Sequence, residues 1–435
     1  MATIYLHCFG CKVNQFELDA IGSELITHGC IQTSDPAEAD CIIINTCAVT
    51  AKAEGAARRF IGHMVRQHTQ ALVAVTGCCV QLTMDQLRSW PEYESGRLLL
   101  FDNYEKAGLA NVLLNTIQNG SKSIPGDNDQ ASLTAPRIHH HTHRTRALLR
   151  IQDGCDNYCS YCVVPHLRGP SVSVPPTEIV TQARSYAAAG YREIVVTGIN
   201  LGAYGADCTE KTDIAALMGE LCALFPDIRF RLSSIEPRQL STGLLKSMQQ
   251  SANFMPHLHI PLQSGDNDIL ARMNRDYTAQ WFGQMVADVR RELPHAAIGI
   301  DVLVGFPGES DAHFDTTRTL LQQIDCSYLH VFPYSQRPRT PAAGFAEQVP
   351  SSIKTKRAQV LRELSAHKRH LFYRRHHNSV RHVLIEKHRQ GSMLHGYTDN
   401  YIAVELTGDD SLMNRVVPVK LEYTGAERMR AALAR

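Results

Sequence analysis

The chain has 435 residues, 44% hydrophobic and 20% charged, with a formal net charge of +1. That is the composition of a soluble globular protein long enough for two or three domains, and its near-neutral charge excludes nucleic-acid binding by bulk electrostatics alone. No apolar run approaches the ~18 residues of a membrane helix, and the opening MATIYLHCFGC lacks the basic-then-apolar order of a secretory signal.

A cytoplasmic location with no membrane partner is therefore expected. In that reducing compartment thirteen cysteines point to metal or cluster ligation rather than disulfides. Residues 1–116 alternate strand-like and helix-like segments. TIYLHC (3–8), CIIIN (41–45) and LVAVT (72–76) are β-rich runs, separated by helical patterns such as QFELDAIGSELITHG. Apolar strands alternating with helices predict a parallel α/β sheet of the flavodoxin or Rossmann kind. Cys11, Cys47 and Cys78 each follow one of these strands. Loops after parallel strands gather at one sheet edge, so the three thiols can converge on one centre; the alternative is three buried small hydrophobes. Cys79 competes with Cys78, whereas Cys8, Cys30 and Cys41 read as structural.

Residues 117–145 are polar and turn-rich, and His139, His140, His141 and His143 are expected to belong to a solvated linker rather than a metal site. Over residues 146–372 six β-rich runs follow: ALLRIQ (147–152), EIVVTG (193–198), RFRLSS (229–234), HLHIPL (257–262), AIGIDVLVGF (297–306) and YLHVFPY (328–334). With helical patterns between them they predict a six-unit partial TIM barrel, its site at the carboxyl ends of the strands. The first loop carries GCDNYCSYC, with Cys155, Cys159 and Cys162. The spacing alone allows a zinc site completed by His166, or an iron–sulfur cluster with one iron left free for a ligand. Residues 373–435 alternate apolar and polar positions around Gly, Asp and Asn turns, the pattern of a small antiparallel barrel. The stretch 354–389 beside it is basic, opposed only by Glu363 and Glu386. Its Lys368, Arg369, Arg374, Arg375 and Arg381 are candidate contacts to RNA phosphates.

Cys-x3-Cys-x2-Cys on the first loop of such a barrel resembles the radical SAM superfamily. GCKVNQ, NTCAVT, TGCCVQ, TGINLGAYG, SSIEPRQL, HLHIPLQSG and DVLVGFPGES resemble the methylthiotransferases within it, and the likeness runs over nearly the whole chain. It implies a 4Fe–4S cluster on Cys155, Cys159 and Cys162 whose fourth iron takes S-adenosylmethionine, and a second 4Fe–4S cluster on Cys11, Cys47 and Cys78. S-adenosylmethionine would serve as methyl donor and as radical source, with a low-potential electron donor as partner. Tyr161, between two cluster cysteines, Gly198 and Asn200 after the second strand, Glu236, Gln263 and Ser264 after the third and fourth, and Gly305 and Glu309 after the fifth are the implied S-adenosylmethionine contacts. The terminal barrel resembles a TRAM domain, an OB-like RNA-binding module.

The implied substrate is tRNA at the anticodon stem-loop, with no DNA partner. TGINLGAYG with SSIEP is most similar to the branch that methylthiolates C2 of N6-threonylcarbamoyladenosine at position 37. Other branches act on isopentenyladenosine in tRNA or on a ribosomal-protein aspartate. A bare two-cluster electron carrier would leave the barrel and the terminal module without a use. The family's R-G-x-x-x-S-R-like run is RGPSVSVPP here: Arg168 and Gly169 remain and the later arginine is absent, so no role is assigned to that position.

Overall fold

A computed structural model describes residues 1–119, 138, 144–209, 211–389 and 391–434. His139, His140, His141 and His143 lie outside the described residues. Five parallel strands open the chain: β1 (Thr3–Cys8), β2 (Ile31–Gln32), β3 (Cys41–Thr46), β4 (Leu72–Gly77) and β5 (Leu98–Phe101), in the order β2-β1-β3-β4-β5. Three match the expected runs, and β2 and β5 are additions. All six residues of β3 are buried. Ile43 packs with Ala74 on one face of the sheet, while Ile42 and Ile44 pack with Val73 and Val75 on the other. A strand covered on both faces cannot alternate, which is why β3 reads as one apolar run. The strand order reverses between β1 and β3, the crevice where open α/β sheets bind ligands; Cys11 and Cys47 follow its two sides.

The second unit contains β6 (Ala147–Arg150), a short hairpin of β7 (Gln152–Asp153) with β8 (Val172–Ser173), and then β9 (Glu193–Thr197), β10 (Arg229–Leu232), β11 (His257–Gln263), β12 (Ala297–Val304) and β13 (Tyr328–Pro333). Strands β6-β9-β10 and β11-β12-β13 form two parallel sheets, joined by bridges Phe230–Phe254 and Ser234–His259. Six parallel strands thus curve in chain order, open between β6 and β13. The helix Lys12–Thr27 lies along the β6 edge. Its Phe16 and Ala20 join the barrel core with Leu148 and Leu149, while its Leu18, Ile21 and Leu25 pack on the amino-terminal sheet. One helix belongs to both units.

The last strands, β14 (Val380–Ile385), β15 (Leu394–Thr398), β16 (Ala403–Leu406), β17 (Val416–Glu422) and β18 (Met429–Leu433), close into a barrel ordered β14-β15-β16-β18-β17. Closure leaves no sheet edge exposed. Val383, Ile385, Leu394, Val404, Val419 and Met429 fill it, together with Phe372 and Tyr373 from the helix Ser351–Arg375. The small barrel sits against the amino-terminal ends of the six strands: Arg231 donates to the Asp399 carbonyl at 2.9 Å, and Tyr401 stacks on His257 with ring centres 4.4 Å apart.

At this junction the buried His376 accepts a hydrogen bond from Asn400 at 3.1 Å. Burial, with Arg381 and His295 nearby, lowers its imidazole from 6.5 to about 4. The neutral ring is the folded form, so its stabilisation is complete above pH 6.5 and is lost as the pH falls towards 4. The expected loss is about 3 kcal/mol. Urea unfolding of the parent and His376→Gln at pH 7 and pH 4 should show the stability gap between them shrinking by that amount. A gap independent of pH would contradict it.

Candidate active site

Cys11 caps the helix Lys12–Thr27, Cys47 follows β3, and Cys78 opens the helix Cys78–Arg88. Two glycines let these loops close on one another. At Gly10 (φ +106°) an added Cβ would lie 2.6 Å from Cys47 Cβ, and at Gly77 (φ +99°) 2.4 Å from the Thr46 carbonyl. Any larger residue would hold the loops apart. The three thiols feel one another electrostatically. Cys11 Sγ is 3.5 Å from Asn14 Oδ1, and Asn103 Nδ2 points at Cys78 Sγ from 3.8 Å. Burial pushes the Cys47 thiol up to about 11. Cys79 turns elsewhere, to the Thr83 hydroxyl at 3.7 Å, with Glu54 and Arg58 as its charged neighbours.

Cys155, Cys159 and Cys162 likewise share one electrostatic environment. Their loop is held by Ser160, whose N–H donates to the Met273 carbonyl at 3.0 Å, and by Asn274, which donates to the Tyr158 carbonyl at 3.1 Å. Arg275 ion-pairs with Glu236 and donates to Cys159 Sγ at 3.2 Å. Burial pushes Cys155 up to about 11 and Cys162 to about 12, so ligation must displace protons.

Four ligands at ~2.3 Å around one zinc would place thiolates ~3.8 Å apart. Among the described residues, the groups of three metal-type ligand atoms within 4.8 Å of one another are His259, Asp301, His330 and Asp266, Asp268, His313. Neither cysteine trio is among these groups. His166, the alternative zinc ligand, is exposed and meets the Tyr158 ring edge-on at 6.1 Å.

The expected S-adenosylmethionine contacts divide into two sets. Tyr161 packs beside Met273, Phe306 and Tyr334 below the thiol loop. Gly198 makes room for Gln152, which accepts from the Asn200 N–H at 2.8 Å; Asn200 Oδ1 is buried without a partner. Glu236 lies beside Cys159 through Arg275. Gln263 is re-aimed by a register shift in β11 and a φ of +67°. These residues keep polar or apolar surface at the strand ends.

Ser264 and Glu309 turn inward and make hydrogen bonds within the protein. The Ser264 hydroxyl lies 3.3 Å from Thr317 Oγ1 and accepts from the Asp266 N–H at 3.2 Å. Glu309 accepts from the Gly305 N–H and from Arg357, both at 2.6 Å. Their chemistry is spent on bracing the loops, with Gly305 as part of the Glu309 turn.

The basic stretch also divides. Lys368 is a correction: it is buried, and its ammonium donates to the Ile324 carbonyl at 2.7 Å, which leaves it no reach to a phosphate. Arg375 pairs with Asp325 at 2.8 Å and Arg381 with Asp399 at 2.9 Å. Arg374 is exposed, and Arg369 lines a small cavity with Tyr373, Tyr397 and Tyr401.

Two features escaped the sequence reading. Arg168 joins the two thiol loops: it donates to Asn14 at 2.7 Å, Glu17 at 3.0 Å and Asp153 at 2.9 Å, while Glu17 also accepts from Lys106 at 2.6 Å. Burial pushes the Glu17 carboxyl up, but Arg168, Lys106 and Arg150 outweigh it and hold it well below the usual range. The second is the inward face of β11, β12 and β13. His259 meets Asp301 at 2.7 Å and His330 approaches the same oxygen at 3.5 Å. Although burial opposes ionisation, these imidazoles hold Asp301 at about 2. The HLH alternation in β11 was the available signal, since residues two apart share a strand face.

His259 borders a chamber of about 770 Å³ between the three units, walled by the helix Lys12–Thr27, by β1, β6, β10 and β11, and by Glu386 and Tyr401 of the terminal barrel.

The sequence profile described as "Uncharacterized protein family UPF0004" matches residues 3–95, and that of the radical SAM superfamily matches residues 149–321. The chain is 35% identical to "Threonylcarbamoyladenosine tRNA methylthiotransferase MtaB" of Bacillus subtilis, over 98% of this chain and 95% of that protein. It is 32% identical to "tRNA-2-methylthio-N(6)-dimethylallyladenosine synthase" of Geobacter metallireducens, over 96% and 95%. Among solved structures, the radical S-adenosylmethionine methyltransferase TsrM of Kitasatospora setae aligns with a TM-score of 0.59 at 15% identity, over 79% of this chain and 75% of that one. That likeness bears on fold alone.

Proposed function

The chain belongs to the radical SAM methylthiotransferase family, and within it we propose that it methylthiolates C2 of N6-threonylcarbamoyladenosine at position 37 of tRNA. The family membership makes it an enzyme, a transferase. The observation that carries the reading is the 35% identity over 98% of the chain, joined to two three-cysteine groups that follow strands of the amino-terminal sheet and the first barrel strand. The branch rests on identity, 35% to the threonylcarbamoyladenosine enzyme against 32% to the dimethylallyladenosine one.

In this reading residues 1–116 carry a second 4Fe–4S cluster on Cys11, Cys47 and Cys78. Residues 146–372 carry the first, on Cys155, Cys159 and Cys162, with S-adenosylmethionine. Residues 373–435 act as a TRAM-like RNA module. When bound, the clusters and S-adenosylmethionine supply the radical and the sulfur that no acid–base side chain can bring to an unactivated C2–H. The chain's own residues position and shield. Arg275 donates to Cys159 Sγ, and hydrogen bonds to a ligating sulfur tune a cluster. Asn200 offers its unpartnered Oδ1 to the methionine ammonium. Arg168 keeps the two thiol loops in register. Arg369 and Arg374 hold tRNA phosphates, and the base is splayed out of the anticodon loop towards the carboxyl ends of the barrel strands. A low-potential donor supplies the electrons.

The test is nucleoside analysis of tRNA from a strain lacking the protein. Methylthiolated threonylcarbamoyladenosine should disappear, with its unmethylthiolated precursor accumulating. Loss of only the isopentenyl analogue would assign the chain to the other branch.

A further inference from the structure

Of the two groups of metal-type ligands that close to within 4.8 Å, Asp266, Asp268 and His313 are accounted for by helix capping. Asp266 accepts from the Asp268 and Ile269 N–H groups at 3.0 and 3.2 Å, and His313 Nδ1 serves the cap at Ser310. His259, Asp301 and His330 have no such duty. Asp301 pairs in register with His330, and His259 pairs with Gly299 one alternation earlier. Their strand neighbours Leu258, Ile260, Ile300, Val302, Leu329 and Val331 pack in the apolar core, so alternation turns the trio to the barrel interior. Gly299 keeps the place clear. A Cβ there would lie 2.3 Å from the Tyr328 ring, whose hydroxyl is bonded to His257 at 2.7 Å.

His259 Nε2 lies 2.7 Å from Asp301 Oδ1, a hydrogen bond, whereas His330 Nδ1 stands 3.5 Å from the same oxygen, too far for a good one. Nitrogen and oxygen ligands around one tetrahedral zinc ion stand about 3.4 Å apart. His330 is already at that separation, and His259 reaches it by withdrawing about 0.7 Å. The two imidazoles are nearly perpendicular, at 80°, with ring centres 4.6 Å apart. The trio also has an entry path: His259 lines the chamber of about 770 Å³, and His330 lines the smaller cavity of about 260 Å³ that holds Arg369.

We propose that His259, Asp301 and His330 form a mononuclear site for a divalent transition ion of the zinc class, built from none of the cysteines. The inference goes beyond the methylthiolation reading and does not depend on it. Three protein ligands leave a fourth position open, the pattern of a reactive rather than a structural zinc site. Two imidazoles with one carboxylate select zinc, cobalt, nickel or iron(II) over magnesium and calcium, which take oxygen ligands. The surroundings sharpen that choice. Arg231 is answered by Glu193 at 2.8 Å and Arg146 by Glu386, so the chamber wall offers no surplus carboxylate to a hard cation. The loaded site keeps a net positive charge, and its open position suits an anionic or carbonyl oxygen. All three ligands stand on strands, which hold a site more precisely than loops do.

The experiment adds Zn²⁺ to anaerobically reconstituted full-length protein, removes the unbound ion by gel filtration, and records zinc, iron and sulfide contents with the zinc K-edge absorption spectrum. The expected result is about one zinc per chain, gained without loss of iron, with nitrogen and oxygen neighbours at ~2.0–2.1 Å and no sulfur at ~2.3 Å. Mg²⁺ in excess should not displace it. In equilibrium dialysis, Asp301→Asn and His330→Gln should each weaken zinc binding by more than the roughly 10- to 100-fold that loss of an outer-sphere partner costs. Asp266→Asn should leave it unchanged. A sulfur shell, or iron released as zinc enters, would overturn the proposal by placing the ion on cysteines. So would a parent that retains no zinc, or binding that survives Asp301→Asn and fails in Asp266→Asn. The spectrum of the parent decides the ligand set even where a variant does not fold.

Discussion

Replacing Cys155, Cys159 and Cys162 together by alanine is expected to abolish reductive cleavage of S-adenosylmethionine and to halve the bound iron, from about eight atoms per chain to about four. The mirror variant, with Cys11, Cys47 and Cys78 replaced, should lose the same amount of iron yet still form 5′-deoxyadenosine. It should transfer no methylthio group to RNA. The asymmetry follows from placement. One trio follows the first strand of the six-stranded barrel, where family likeness puts S-adenosylmethionine; the other follows three strands of the amino-terminal sheet. Zinc without sulfide in the anaerobically purified parent, or equal loss of cleavage in both variants, would refute the two-cluster assignment. Cys79→Ala is the control: its thiol faces Thr83 rather than the other cysteines, so iron content should be unchanged.

The second large effect concerns Arg168. Its side chain is 2% exposed and reaches Asn14, Glu17 and Asp153 from the end of the short helix Val164–Arg168 that follows Cys162. Arg168→Met strips a fully buried Glu17 of its nearest guanidinium, and breaking one partner of a buried pair costs about 3–5 kcal/mol. The midpoint of urea unfolding should fall accordingly. Adding Glu17→Gln should cost less than the sum of the single changes, because the second removes the charge that the first had stranded. Glu17 is held below its ordinary 4.5, so its ionised form stabilises the fold above that pH. That contribution is lost as the pH falls below it. A variant within 1 kcal/mol of the parent would contradict the role given to Arg168.

Most of the architecture could be read from periodicity. The six barrel strands fall within about two residues of the expected runs, because apolar strands bounded by turns are a local pattern. Strands β2 and β5 escaped for the same reason: two exposed residues, and a four-residue run that resembles any buried segment. The thiol trios were found from their positions after strands. What stayed hidden were partnerships across the chain. Nothing local distinguishes Ser264 and Glu309, whose polar atoms are satisfied by Thr317 and Arg357, from Asn200, whose Oδ1 is not. Lys368 belonged to a charge run, and only its reach to the Ile324 carbonyl separates it from its exposed neighbour Arg374. Glu17 reads as a surface acid until Lys106, Arg150 and Arg168 converge on it from remote segments.

The helix Lys12–Thr27 constrains how such a protein can change over generations. Its Phe16 and Ala20 complete one core, its Leu18, Ile21 and Leu25 another, and Glu17 between them answers cations from both sides. A recombination event that imported a foreign amino-terminal unit would have to bring a matching helix, or leave Arg168 and Arg150 facing a stranger. The two units are therefore inherited as a pair. A change on one side of the helix is expected to need an answer on the other, because both cores close on the same helix.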